Sequence, residues 1–126
     1  MKSSTLLSVL LLAAAPLFSQ NALTGTWLQQ GLDAEGNPNR TVLQILPDGS
    51  FQLDLNQDGT FDIQGRYEID GNQVTIWHVG PDATCPAEQK GLYRYSLDGE
   101  YLSMTRISDP CPERGGPRGM MGFKRM

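Results

Sequence analysis

FDIQGRYEIDGNQVTIWHV, residues 61–79, reads as two strands folded back on one another. Phe61, Ile63, Tyr67 and Ile69 share one face, with Asp62, Gln64, Arg66 and Glu68 opposite. Successive strand side chains point to opposite faces, so a period of two marks a strand buried on one side. Asp70-Gly71 interrupts the alternation, and Val74 and Ile76 resume it. Asp-Gly between two alternating segments is a hairpin signal, because tight turns need positive φ angles that these residues tolerate.

The same pattern extends in both directions. Asp48-Gly49, Asp58-Gly59 and Asp98-Gly99 each separate segments rich in β-branched and aromatic residues. Phe51, Leu53 and Leu55 alternate with Gln52 and Asp54; Tyr93, Tyr95 and Leu97 alternate in GLYRYSL, as do Leu102 and Met104 in YLSMTRI. Strands are expected near 24–30, 40–46, 50–55, 60–69, 73–79, 91–97, 101–107 and 121–125. Short antiparallel strands in series remove their exposed edges by pairing first with last. The expected fold is all-β, a single antiparallel up-and-down eight-stranded barrel, with a β-sandwich as the competing arrangement. Gly65, inside the cleanest strand, is expected at a bend or bulge.

The first twenty residues, MKSSTLLSVLLLAAAPLFSQ, have another character: Lys2, an apolar run from Leu6 to Ala15, then small residues such as Ser19. That is the layout of a secretory signal peptide, and the run is too short to span a bilayer. The expected organisation is a signal peptide over 1–20 and one barrel domain over 21–126, in a secreted or periplasmic monomer with no membrane insertion after cleavage. Without Lys2 the chain carries nine basic against fourteen acidic residues. Such a balance argues against nucleic acid as a partner. Arg106, Arg114, Arg118, Lys124 and Arg125 crowd toward the C-terminus and read as a solvated basic edge.

Cys85 and Cys111 are the two cysteines. In an oxidising compartment one disulfide between them is expected. It would join two irregular loops, Gly80 to Lys90 and Ser108 to Gly122, into a tethered lid over one barrel mouth, where binding surfaces tend to lie.

DLNQDGTFD, residues 54–62, offers a metal-binding pattern. Asp54, Asn56, Asp58 and Asp62, with the backbone carbonyl of Thr60, form an oxygen set suited to Ca²⁺. The EF-hand form fails, because the twelfth position is Gly65 and the flanks are strands. The stretch resembles instead the calcium loops of integrin-type propeller repeats, which join two antiparallel strands. A polar hairpin turn with solvated acids explains the same residues, and both readings stand at this point.

His78, the one histidine, reads as a surface residue at a strand end; on an inward face with Val74 and Ile76 it would orient a ligand. No G-x-S-x-G motif places a serine nucleophile, and no enzymatic activity is expected. Met120, Met121 and Met126 read as apolar gap-fillers in preference to Cu(I) ligands.

Gly25-Thr26-Trp27 opens the first strand of the expected barrel, GLYRYSLDGEYLSMTRISDPC runs from Gly91 to Cys111, and GFKRM occupies 122–126. The ordered series of Gly-x-Trp, Gly-x-Tyr, the SLDG turn, Asp-x-Cys-x-x-Arg (Asp109, Cys111, Arg114) and a basic last strand resembles the small secreted lipocalin-like domains of bacteria, within the calycin group. The resemblance implies that Trp27 plugs the closed end while Lys124 or Arg125 packs over its ring, a cation–π contact. It also implies a small apolar or amphipathic ligand inside, against Phe51, Phe61, Tyr67, Ile69, Tyr93, Tyr95 and Met104. The alternative is an inhibitor-like or protein-interaction barrel with a filled core, and a third reading is a calcium-stabilised structural domain.

Overall fold

The computed structural model describes residues 21–32, 35–36, 38–81, 83–116 and 118–126. The expected signal peptide lies outside them. Eight strands follow one another: β1 (Gly25–Leu32), β2 (Pro38–Ile45), β3 (Ser50–Leu55), β4 (Ile63–Asp70), β5 (Gln73–Val79), β6 (Gly91–Asp98), β7 (Tyr101–Ser108) and β8 (Met120–Arg125). Each pairs antiparallel with its neighbour in sequence, and β8 returns to β1, so the sheet is a closed up-and-down barrel and not a sandwich. The closing seam is short, with Trp27 opposite Arg125 and Leu28 opposite Lys124. By contrast, β1 and β2 are in register along their full length, from Gly25 opposite Ile45 to Leu32 opposite Pro38.

Alternation along each strand builds the core. Leu43 and Ile45 of β2, Phe51 of β3, Tyr67 of β4, Val74 of β5, Tyr93 of β6, Leu102 and Met104 of β7 and Phe123 of β8 are all buried. Burying a large apolar side chain contributes about 1.5–3 kcal/mol. Strand ends, turns and outward positions carry the charge.

Two expectations about the turns and the strand interior change. In the two-residue turns β4–β5 and β6–β7, Asp70 pairs with Gln73 and Asp98 with Tyr101. The aspartates are therefore the last strand residues, and only Gly71 and Gly99 take positive φ, 63° and 60°. Glycine alone at the first central position is the II′ form of hairpin turn. Gly65 marks no bulge: it stays in register between Phe51 and His78, and a Cβ there would overlap the Phe51 ring and come within 2.6 Å of the Trp77 carbonyl oxygen. Its role is close approach of ring to backbone. The register shift falls instead at Leu92/Tyr93, between β6 and β7.

One end of the barrel is plugged. Trp27 is fully buried and its Nε1 donates to the Leu23 carbonyl at 2.9 Å. Arg125 lies 4.1 Å over the indole centroid and donates to the carbonyls of Thr24 and Ala22. Lys124 cannot share that role, because adjacent strand residues face opposite ways; its Nζ lies outside, 5.9 Å from the Tyr101 ring centroid. The Tyr67 hydroxyl completes this end, accepting from Asn21 and donating to the Leu46 carbonyl.

Candidate functional site

The end opposite Trp27 receives the connections β3–β4, β5–β6 and β7–β8, because every second link of an up-and-down barrel lies at the same rim. A cavity of about 410 Å³ lies between this rim and the plug. Leu43, Ile45, Phe51, Leu53, Val74, Ile76, Met104 and Phe123 form its apolar wall, with Leu23 at the floor. Thr84 from the β5–β6 connection and Glu113 to Gly116 from the β7–β8 connection border it at the mouth. Those two connections are joined by the Cys85–Cys111 disulfide, with Cα atoms 6.0 Å apart.

Behind the disulfide sits a buried polar cluster. The Asp109 carboxylate accepts from Arg114 Nε at 2.8 Å and Nη2 at 2.7 Å, from the Cys111 amide at 2.9 Å and from the Tyr93 hydroxyl. The two charged side chains are 0% and 4% exposed, Asp109 and Arg114 respectively. Glycines make the room: a Cβ on Gly91 would overlap the Asp109 carboxylate, and one on Gly115 would overlap the Tyr93 hydroxyl. Thus Gly91, Tyr93, Asp109, Cys111 and Arg114, separate short motifs in the sequence, meet in one structure. Burial works against the Asp109 charge, yet the bonds from Arg114, Tyr93 and Cys111 prevail and hold its pKa below the usual carboxylate value. Burial first, and the bond to Asp109 second, push the Tyr93 hydroxyl up to about 12. Arg106 supports the loop from β7, its Nη2 donating to the carbonyls of Arg114 and Gly116.

His78 is buried, at 6% exposure, and lines the cavity. The surface reading of this residue is overturned, because β5 continues to Val79 and the inward parity of Val74 and Ile76 carries His78 inside. Phe51 packs on it edge to face, centroids 6.3 Å apart. Burial lowers its pKa, the Arg114 charge lowers it further, and Asp109 opposes them. The imidazole is therefore neutral near pH 7.

Of the expected ligand-facing residues, Phe51, Tyr67 and Met104 line the cavity. Tyr93 is fully buried but its hydroxyl is bound in the Asp109 cluster. Tyr95 is half-buried, with its hydroxyl on the Gly71 carbonyl at the plugged end. Ile69 packs against the core. Phe61 is 39% exposed, because β4 begins only at Ile63. Gln29, Thr41, His78, Thr84, Glu113 and Arg114 are the polar lining residues that the expected ligand set did not include.

The acidic turn occupies the same rim. One ligand oxygen from each of Asp54, Asp58 and Asp62 lies within 4.8 Å of the others. The turn also uses these groups itself: Asp54 accepts from the amides of Asp58 and Gly59, Asp62 from Leu55, and Asp58 from Thr60. Partial burial opposes the Asp54 charge, but the amide bonds outweigh it and keep its pKa below the usual value. Asn56 and Gln57 take positive φ, 70° and 53°, so the chain coils here instead of turning in two residues. Asn56 and Thr60 are exposed.

Among the described residues no helix is long and apolar enough to cross a membrane. No family model matches this chain, and no curated protein or solved structure is significantly similar to it.

Proposed function

We propose that this protein is an exported, non-enzymatic, lipocalin-like barrel that carries a small apolar or amphipathic molecule in its interior. The observation behind this reading is the cavity of about 410 Å³ between Leu23 at the plugged end and the disulfide-tethered loops at the mouth. Ligand pockets have volumes of roughly 300–1,000 Å³, mostly apolar walls and a few placed polar groups. Water released from such a wall on binding favours association by about 25 cal/mol per Å² of apolar surface, against the cost of immobilising the ligand. The filled-core interaction barrel draws less support. Among the described large apolar residues of the two tethered loops, Met120 is the exposed one.

The test is native mass spectrometry of the mature protein from its own host, with and without chelator. A retained organic adduct supports the carrier reading, and a bare protein mass counts against it. The chelator arm addresses the second reading, a Ca²⁺-stabilised rim, which the convergence of Asp54, Asp58 and Asp62 favours. Those carboxylates would supply the hard oxygen set, and the ion would offset their mutual repulsion. In that case the melting temperature rises with added Ca²⁺ and Asp58→Ala abolishes the rise.

A further inference from the structure

The two connections that the disulfide joins are held to the barrel in different ways. The β7–β8 connection is fixed by its own polar frame. Asp109 accepts from Arg114, Tyr93 and the Cys111 amide. Arg106 donates through Nη2 to the carbonyls of Arg114 and Gly116, and through its amide to that of Gly119. The β5–β6 connection has no such frame. Its backbone bonds close on themselves, Ala83 to Gly80, Gln89 to Pro86 and Lys90 to Glu88. Two ties reach other elements, the Gln89 carbonyl on Arg114 and Lys90 over the Trp77 ring at 4.3 Å, and both sit at the end that runs into β6. Over residues 83–88, Cys85 is the one buried residue. Its bond to Cys111 is, among the described residues, the one polar or covalent tie from this segment to the rest of the fold.

A segment with few buried groups and self-contained backbone bonds opens at low cost once its single tie is cut. Thr84, next to Cys85, borders the cavity at the mouth. We infer that residues 83–88 are a flap over the mouth, closed while Cys85 and Cys111 are oxidised and open when they are reduced. The exchange partner is a dithiol. Its thiolate attacks Cys85 Sγ, since Cys111 is 1% exposed and Cys85 6%, with Thr84 and Pro86 exposed on either side. Cys111 leaves as a thiolate, and the second thiol of the reductant then breaks the mixed disulfide and releases Cys85. Two electrons and two protons pass to the protein, and the dithiol becomes a disulfide. Exchange with a disulfide oxidant runs the same step backward and closes the flap. The bonds of the Asp109 cluster do not involve the sulfurs, so the opposite side of the mouth stays in place in both states. That the opening admits cargo rests on the carrier reading above; the opening itself does not.

Limited proteolysis tests this with one site on each connection, because a glutamate-specific protease meets Glu88 in the flap and Glu113 opposite it, both exposed. In the folded protein treated with dithiothreitol, cleavage after Glu88 accelerates about tenfold, in step with the population of the open form. Cleavage after Glu113 is unchanged, which an unfolded chain would not allow. Cys85→Ser with Cys111→Ser reproduces this pattern without reductant. A bond that dithiothreitol leaves intact in the folded protein, equal acceleration at both sites, or acceleration at neither overturns the flap. In the same samples, stopped-flow entry of the neutral probe N-phenyl-1-naphthylamine is about tenfold faster after reduction, as the open population dictates. Probe that binds with equal entry rates in the two states overturns the proposal as well. Probe that binds in neither state removes the carrier reading, and the cleavage pattern then decides the flap alone.

Discussion

Replacing Asp109 by Asn keeps the shape of the side chain and removes its charge. The carboxylate accepts two bonds from Arg114, one from the Cys111 amide and one from the Tyr93 hydroxyl, and the carboxamide turns an N–H₂ toward part of this ring of donors. Arg114, 4% exposed, then holds a buried charge without its counter-ion. Breaking a buried pair in this way costs about 3–5 kcal/mol. For a domain of this size that corresponds to a fall in melting temperature of roughly 12–25 °C, read by circular dichroism and by guanidinium denaturation. The double variant Asp109→Asn with Arg114→Met removes the orphaned cation and recovers part of the loss. A single variant within about 1 kcal/mol of the parent, well short of the cost of an unpaired buried charge, would refute the argument that the ion pair organises the mouth. So would a double variant less stable than the single one.

Gly65→Ala drives a methyl into the Phe51 ring and toward the Trp77 carbonyl. It destabilises by about 1–3 kcal/mol, and Phe51→Leu in the same chain restores part of this in urea denaturation. Cys85→Ala with Cys111→Ala frees a separation of 26 residues, which the chain-entropy relation converts to about 3.5 kcal/mol; differential scanning calorimetry of the parent and the double variant measures it. His78 has a folded pKa below its ordinary value of 6.5, so between the two the unfolded chain takes up a proton that the native one refuses. Its contribution is complete above 6.5 and is lost as pH falls through the folded value. Asp109 repeats the sign below 3.8. Urea midpoints should therefore decline on acidification from neutrality, and His78→Phe should flatten the upper part of that decline.

The barrel was legible because period two is local, and each alternating segment announces which face is wet. Phe61 escaped that logic, since the chain coils through Asn56, Gln57 and Gly59 before β4 begins, and alternation counted backward from Ile63 enters the turn. His78 had the inward parity of Val74 and Ile76, and a polar side chain at a strand end outweighed it wrongly. Arg114 gave no periodic signal, because its place is set by Asp109, Gln89 and a bridge to a loop 26 residues away. The alternative between Lys124 and Arg125 was a question of parity too, resolved once Phe123 was fixed inside. Of the cavity, then, the sequence pattern conveyed the greasy wall and withheld the polar mouth, where Arg114 belongs to an irregular segment held by distant partners.

The hem where β8 meets β1 joins residues about a hundred positions apart by two registered pairs. A ring clasped so briefly fastens last as the chain collapses, since the longest loop carries the largest closure entropy and the fewest bonds repay it. It is also where the hoop first parts. The amide of Gln30, which points to the β8 side beyond the two registered pairs, is the one that deuterium would reach earliest.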